Sequence, residues 1–373
     1  MIDKNDQIDV RNLALYLGIA GAILALGIVF GLPARLSGLI PEHPDILDWW
    51  QISVAVLNDT QIPEVVFNYP PLFAVFNLPL GFLDFPSAYF AFLVGTLLGY
   101  VFIIGYISNS KLALILATIS VATLFNFIYG QNGLLTATIG GAALIQLQHR
   151  RQVLAGILIG LLSIKPHLGL LFPAALFAIG AWRALFAATI TVAAMLAVSF
   201  ELLGVKAYVD WFSKMSGLIN EIPQHLWEHV PTTFSFMLSI GASTGMAYLI
   251  QTCITILAMV CVWRVWRNCD SWPIRCATLT TATCLTSPYL MAVDLTWLGL
   301  SMAWLMAIGL KDGWLKGERL SIFLVCALPY LYILVAQHLA IQVGQFGIAL
   351  LLLLFLRRSK VFKNDSSNQS HPI

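Results

Sequence analysis

Apolar runs of about 20 residues, enough for a helix to cross the hydrocarbon core of a bilayer, recur along most of the chain and are divided by short polar turns. The first extends from Leu13 to Leu32. Lysines and arginines punctuate the pattern at regular intervals: Lys111, Arg150–Arg151, Arg183, the stretch from Arg264 to Arg275, the stretch from Lys311 to Arg319, and the tail segment LRRSKVFK. Basic residues collect in cytoplasmic loops, so this punctuation predicts an all-α, polytopic integral membrane protein of about twelve transmembrane helices with both termini inside. Two apolar stretches are too short to cross. PPLFAVFNLPLGFL (70–83) is broken by Pro79, and TTFSFMLSIGAS (232–243) is about half a span, which predicts re-entrant or interfacial helices on the outer face. The segment 204–231 sets Tyr208, Trp211, Phe212 and Trp227 among charges and proline, the make-up of an amphipathic interfacial segment. The chain reads as a single membrane domain over 1–373, with large outer loops at 33–86 and 204–243 and a cytoplasmic tail at 357–373.

Composition sharpens this picture. The chain is 59% hydrophobic and 10% charged, with a mean hydropathy of +0.84, whereas soluble domains carry about 25% charged residues. A net charge of +2, without a long basic block, gives no footing for a nucleic-acid partner and leaves membrane lipids as the surroundings. The run Leu13–Leu32 ends at PARLSG without a small-residue cleavage site and reads as a retained span rather than a signal peptide. The six cysteines (Cys253, Cys261, Cys269, Cys276, Cys284 and Cys326) fall mostly inside predicted spans and never as CxxC. That is the pattern of small buried hydrophobes rather than of a metal or redox site.

Charge position tells more than charge total. From an inside N-terminus, the outer segments are 33–86, YGQNG (129–133), SIKPH (163–167), 204–243 and SPYLMAVD (287–294). Asp45, Asp48, Asp59, Glu64, Asp84, Glu201, Asp210, Glu221, Glu228 and Asp294 are assigned to that face, so one side of the membrane carries the chemistry.

Asp45 and Asp48 are three apart and share a face if DILDWWQISVAVL is helical, with Pro44 opening the helix and Trp49 and Trp50 anchoring it at the membrane surface. NYPPLF (68–73) brings the hydroxyl of Tyr69 to the same surface on a backbone stiffened by two prolines. GQNG (130–133) sets Gln131 and Asn132 between flexible glycines. Amides bond sugar hydroxyls, and capping of the helix that starts at Gly133 is a sufficient alternative for Asn132 alone. Lys165 in SIKPH lies near the apolar boundary. A cation at the bilayer centre costs about 2.5–3.5 kcal/mol, so this one invites an anion, and a lipid phosphate lies at that depth. His167 is placed to assist. In SPYLMAVDL (287–295), Tyr289 follows a proline turn, and Asp294 is an intramembrane carboxylate with Lys165 as its natural partner, whether for chemistry or only to position helices. His225 and His229, at i and i+4, lack the third ligand that a metal site needs.

The order of these motifs resembles glycosyltransferase family 87, the polyprenol-phosphate-sugar-dependent membrane transferases of the GT-C superfamily. The similarity rests on Asp45 followed by Trp49–Trp50, YPPLF at 69–73, GQNG at 130–133, Lys165–Pro166, and SPY with its following Asp over 287–294, and it covers about residues 12–300. His43–Pro44 and LNDTQIPEVVFNYPP depart from the family pattern around the acceptor pocket. The resemblance implies a GT-C-like fold and a donor sugar, a mannose-like hexose or an arabinose-like pentose, carried on a polyprenyl phosphate. It further implies a lipid or glycan acceptor and Asp45 as catalytic base, a mechanism that requires no metal and no cofactor. Lys165 would pair the lipid phosphate, and Tyr69, Gln131, Asn132, His167 and Tyr289 would surround the substrate, with Asp48 and Asp294 orienting the others. The implied setting is a bacterial inner membrane with the site facing the periplasm. A transporter or flippase of a lipid-linked sugar would also want acids, a cation and broken helices, but the hydropathy shows no inverted repeat. A non-enzymatic scaffold would tolerate neutral substitution of Asp45 and Lys165.

Overall fold

A computed structural model describes residues 9–29, 36–62, 69–221 and 229–369. Its regular structure is helical throughout, with no strand among the described residues. The main helices are α1 (Val10–Val29), α2 (Asp45–Leu57), α3 (Leu72–Asn77), α4 (Phe85–Ser108), α5 (Lys111–Ile119), α6 (Val121–Tyr129), α7 (Gly133–Gln148) and α8 (Gln152–Leu161). They are followed by α9 (Phe172–Ile179), α10 (Trp182–Glu221), α11 (Thr233–Ser239), α12 (Thr244–Asn268), α13 (Trp272–Thr283), α14 (Thr296–Asp312), α15 (Glu318–Leu339) and α16 (Gly344–Gln369).

Among the described residues five helical segments are long and apolar enough to cross a membrane: Phe85–Ser108, Trp182–Lys214, Thr244–Asn268, Ala292–Asp312 and Glu318–Leu339. A sixth arises if α5 and α6, bent by 43° at Ser120, form one span. This differs from a set of about twelve full-length spans. Much of the apolar sequence folds instead as shorter helices, Gly133–Gln148, Gln152–Ile164 and Pro166–Ile179. The reason is local. Ser120 stops α5 and caps α6 by accepting from Thr123 N, and Lys165, preceding Pro166, is pushed out of the helical region to φ −141°, ψ 77°. Such breaks are tolerated at membrane depth where the protein itself surrounds them.

Burial orders the bundle. In the most apolar stretch of Ala292–Asp312, 89% of residues are buried, against 17% in Trp182–Lys214 and 22% in Thr244–Asn268, so α14 is the central post and α10 and α12 face outward. Small residues allow the close crossings. Gly140 lies under the Trp297 ring and Gly141 against Ile103 and Leu300, bringing α4, α7 and α14 together, while Gly156 meets the Ala184 carbonyl and seats α8 along α10.

The two short apolar stretches stay short. α3 continues into the 3-10 turn Leu78–Phe82 and folds back on α2, where Gly81 packs on Ser53 and Trp50 Nε1 donates to the Leu83 carbonyl at 2.9 Å. α11 is a seven-residue helix capped by Thr232. The segment expected as an outer loop from 204 is helical as far as Glu221. It is interrupted at Gly204, whose φ of 72° and ψ of 171° are open essentially to glycine alone. On either side of that break Leu203 and Ala207 close over Ile52 of α2 and Ala74 of α3.

Candidate active site

The turn GQNG between α6 and α7 is the hub of the site. Gly130 has φ 60°, and a Cβ there would lie 2.7 Å from Pro44 Cβ and 3.1 Å from Ile46 Cγ2, so only glycine lets the turn touch the start of α2. Gly133 is pressed against the Val293 carbonyl. Asn126 of α6 reinforces that contact, donating from Nδ2 to the same carbonyl at 3.0 Å and accepting from Leu134 N at 3.3 Å. Four residues are thus clamped between two segments that each carry a carboxylate, 44–46 and 293–294. Gly133→Ala forces a methyl into the Val293 carbonyl, and the expected result is a loss of about 1–3 kcal/mol of stability, the usual cost of overpacking. It is read as a lower unfolding midpoint, and an unchanged midpoint would show that the clamp gives way freely.

The side chains of the turn reach both ways. Gln131 Nε2 donates to Asp45 Oδ2, and Asn132 Oδ1 accepts from Lys165 Nζ at 3.2 Å. Tyr69 closes the group: its hydroxyl donates to Gln131 Oε1 at 2.6 Å, and Lys165 Nζ stands 5.4 Å from its ring centroid, within cation–π reach. Lys165 Nζ also meets Asp294 Oδ1 at 2.6 Å. The other oxygen of Asp294 accepts from Met291 N at 3.2 Å and has His167 Nε2 at 3.9 Å, too long for a direct hydrogen bond. Seven of the residues singled out in the sequence (Asp45, Tyr69, Gln131, Asn132, Lys165, His167 and Asp294) therefore form one connected group.

Several details differ from the sequence expectation. α2 does start at Asp45 behind Pro44, with Asp45 and Asp48 in its first turn. Trp49, however, does not anchor at the membrane surface. It is buried, with Phe73 at 4.6 Å, Tyr69 at 5.0 Å and Phe92 at 5.8 Å between ring centroids, because α3 and α4 close over that face of α2. Tyr69 is likewise buried rather than presented at the surface. Asn132 does not cap α7; its oxygen is taken by Lys165, and its Nδ2 is buried without a partner. Tyr289 is half-buried and stands apart from the group, its hydroxyl bonded to that of Tyr248 and its ring 6.1 Å from Phe234. His229 packs edge-on against Phe125 and Tyr129, and His225 lies outside the described residues.

Burial dominates the electrostatics. It raises the Asp45 carboxyl from 3.8 to about 6, outweighing the positive charge of Lys165 and the Gln131 hydrogen bond; Asp48 adds to the shift and Lys214 opposes it. Burial also raises Asp48, against the charges of Lys214 and His43. For Tyr69, burial and then the charges of Asp45 and Asp294 push the hydroxyl well above the usual phenol range, so it remains a neutral donor. The arrangement offers a carboxylate that titrates near neutrality, a buried cation and fixed donors between them. Two contributors were missed in the sequence. Asn126 had a signal, a lone amide inside the apolar run TLFNFIY. Lys214, which acts on both aspartates, had none, because its segment read as a loop.

These features define a helical membrane protein with a carboxylate–amide–cation group built around one turn. The model of glycosyltransferase family 87 matches residues 67–288, more than half of the sequence, and the chain belongs to that family: it is a membrane glycosyltransferase. The matched stretch holds Tyr69, Gln131, Asn132, Lys165 and His167 and ends just before Tyr289 and Asp294. Asp45 precedes it and is tied to it through Gln131. No curated protein matches the chain.

Proposed function

We propose that the chain transfers a mannose-like hexose or an arabinose-like pentose from a polyprenyl-phosphate donor to a hydroxyl of a lipid or glycan acceptor. The observation that carries this reading is the connection of Asp45 to Lys165 through Gln131, Asn132 and Tyr69. Transfer from a phosphate-linked sugar needs both ends of that connection. The acceptor hydroxyl must give up a proton as its oxygen bonds to the anomeric carbon, and the departing phosphate takes the electron pair of the broken bond. Asp45 takes the proton and Lys165 meets the phosphate, with His167 beside it. Gln131, Asn132 and Tyr69 line the sugar or phosphate, while Asp48 and Asp294 orient the charged groups. The mechanism calls for no metal and no cofactor.

In this reading the site faces the periplasm across a bacterial inner membrane. The chain crosses about twelve times if the three shorter apolar helices and α1, α13 and α16 count as passes with the five long segments and the bent α5–α6 pair, and α3 and α11 dip in from the periplasmic side.

The test is turnover of a panel of radiolabelled polyprenyl-phosphate sugars by the purified chain, with donor binding measured on the same samples. Release of sugar from one donor onto an acceptor names the substrate. A donor that binds and crosses vesicle membranes unchanged would move the chain to lipid-linked sugar transport. For the turned-over donor, kcat/KM is expected to rise with pH through a midpoint of about 6, because only ionised Asp45 accepts a proton. A rate flat between about pH 5 and pH 8 would remove Asp45 as the base.

A further inference from the structure

A groove of about 750 Å³ lies at the other end of α7, about 24 Å from the candidate active site by helix rise. Arg150, Arg151 and Arg183 line it, with Trp182 and an apolar wall of Val153, Leu154 and Ile157. No acidic residue lines it, and none of the three arginines enters an ion pair among the described residues.

The position of two of these arginines is electrostatically costly. Arg151 is the N-cap residue of α8, without a side-chain capping bond, and Arg183 is the second residue of α10. Both stand at the positive ends of helix dipoles, where an anion is favoured and a cation is not. Only Arg150, two residues past the end of α7, has a favourable helix end beside it. A second basic groove, of about 480 Å³ around Arg264 and Arg357, makes the contrast. There Arg264 lies in the C-terminal half of α12, away from any positive helix end, and Arg357 donates to the Lys316 carbonyl at 2.8 Å. Local structure accounts for the second groove and leaves the first in need of an anion.

The apolar wall says which kind. Trp182, Val153, Leu154 and Ile157 are 60%, 56%, 43% and 40% exposed, a wall that faces the acyl chains of the bilayer and sets the three arginines at headgroup depth, where the anion at hand is a lipid phosphate. We propose that this groove binds one anionic phospholipid, with its headgroup phosphate among Arg150, Arg151 and Arg183 and an acyl chain along Trp182 and the α8 wall. Basic pockets between membrane helices recognise lipid headgroups in this way. The site is separate from the transferase chemistry and stands whether or not the donor assignment holds.

The test uses the purified full chain in neutral detergent, titrated with phosphatidylglycerol, phosphatidylcholine or inorganic phosphate. Phosphatidylglycerol is expected to bind at least about tenfold more tightly than phosphatidylcholine. Arg151→Gln and Arg183→Gln should each weaken it roughly fivefold, and the triple variant with Arg150→Gln on the order of a hundredfold. The pair Arg264→Gln and Arg357→Gln should leave it unchanged. Equal binding of the two phospholipids overturns the proposal. So does an equal loss in the Arg264/Arg357 pair, which would mean diffuse charge attraction, or competition by inorganic phosphate as strong as by the lipid. The single variants keep the test decisive if the triple variant is poorly folded.

Discussion

With Asp45 as the proposed base, Asp45→Asn is expected to abolish sugar transfer and at the same time to make the folded chain more stable at neutral pH. The loss of transfer follows from the role of the carboxylate: a positioned general base contributes about 10²–10⁴-fold, and the amide cannot accept the proton. The gain in stability follows from its surroundings. Burial holds the folded-state value at about 6, above its ordinary 3.8, so the linked stabilisation is full below the ordinary value and is lost as pH rises through about 6. At neutral pH an ionised, largely desolvated Asp45 therefore costs about 1–3 kcal/mol, and the neutral amide removes that cost while keeping an oxygen for Gln131. Thermal unfolding of both forms at about pH 4 and about pH 8 checks it: the variant should unfold at a higher temperature only at the upper pH. A variant that retains transfer, or that loses it by unfolding at a lower temperature, would falsify the assignment.

Lys165→Met destabilises the chain by about 3–5 kcal/mol, because it leaves the Asp294 carboxylate buried without its cation. Asp294→Asn has an effect of similar size for the converse reason. The two are not additive. The pair is in direct contact, with side chains 7% and 0% exposed, so the double variant, with neither partner left charged and alone, recovers most of the stability. That recovery separates two roles. If the ion pair only holds α14 and the Lys165 turn together, the double variant folds and still binds the polyprenyl-phosphate donor. If Lys165 meets the phosphate, the double variant folds and fails to bind it. A Lys165→Met protein as stable as the wild type would show that the pair is hydrated and that its geometry carries no weight.

Much of the local geometry was legible in the sequence. A proline followed by two acids in the first turn marked the start of α2, the glycines of GQNG marked a tight turn, and Lys165 before Pro166 marked a helix break. The pairing of Lys165 with Asp294 was legible too, because an intramembrane charge is too costly to stand alone. Trp49 and Tyr69 were placed at a surface because aromatic residues beside an acid and a proline usually belong there; in the structure α3 and α4 cover them. The helical run to Glu221 was hidden by its mixed composition, which reads as a loop until the α2–α3 pair gives Leu203 and Ala207 something to pack on.

The sequence by itself determined that the chain is a helical membrane protein, where several helices begin and break, and which scarce charges demand partners. Each of these follows from forces acting within a few residues or against the bilayer: backbone sterics at glycine and proline, and the cost of charge in hydrocarbon. Only the tertiary structure decided that residues 45, 69, 131, 165 and 294 meet around a single turn. A buried helix such as α14 is apolar on every side, so its periodicity does not say which neighbour each face will touch. That choice is made by close packing, where Gly130 against Pro44 and Gly133 against the Val293 carbonyl admit one arrangement of helices and exclude bulkier contacts.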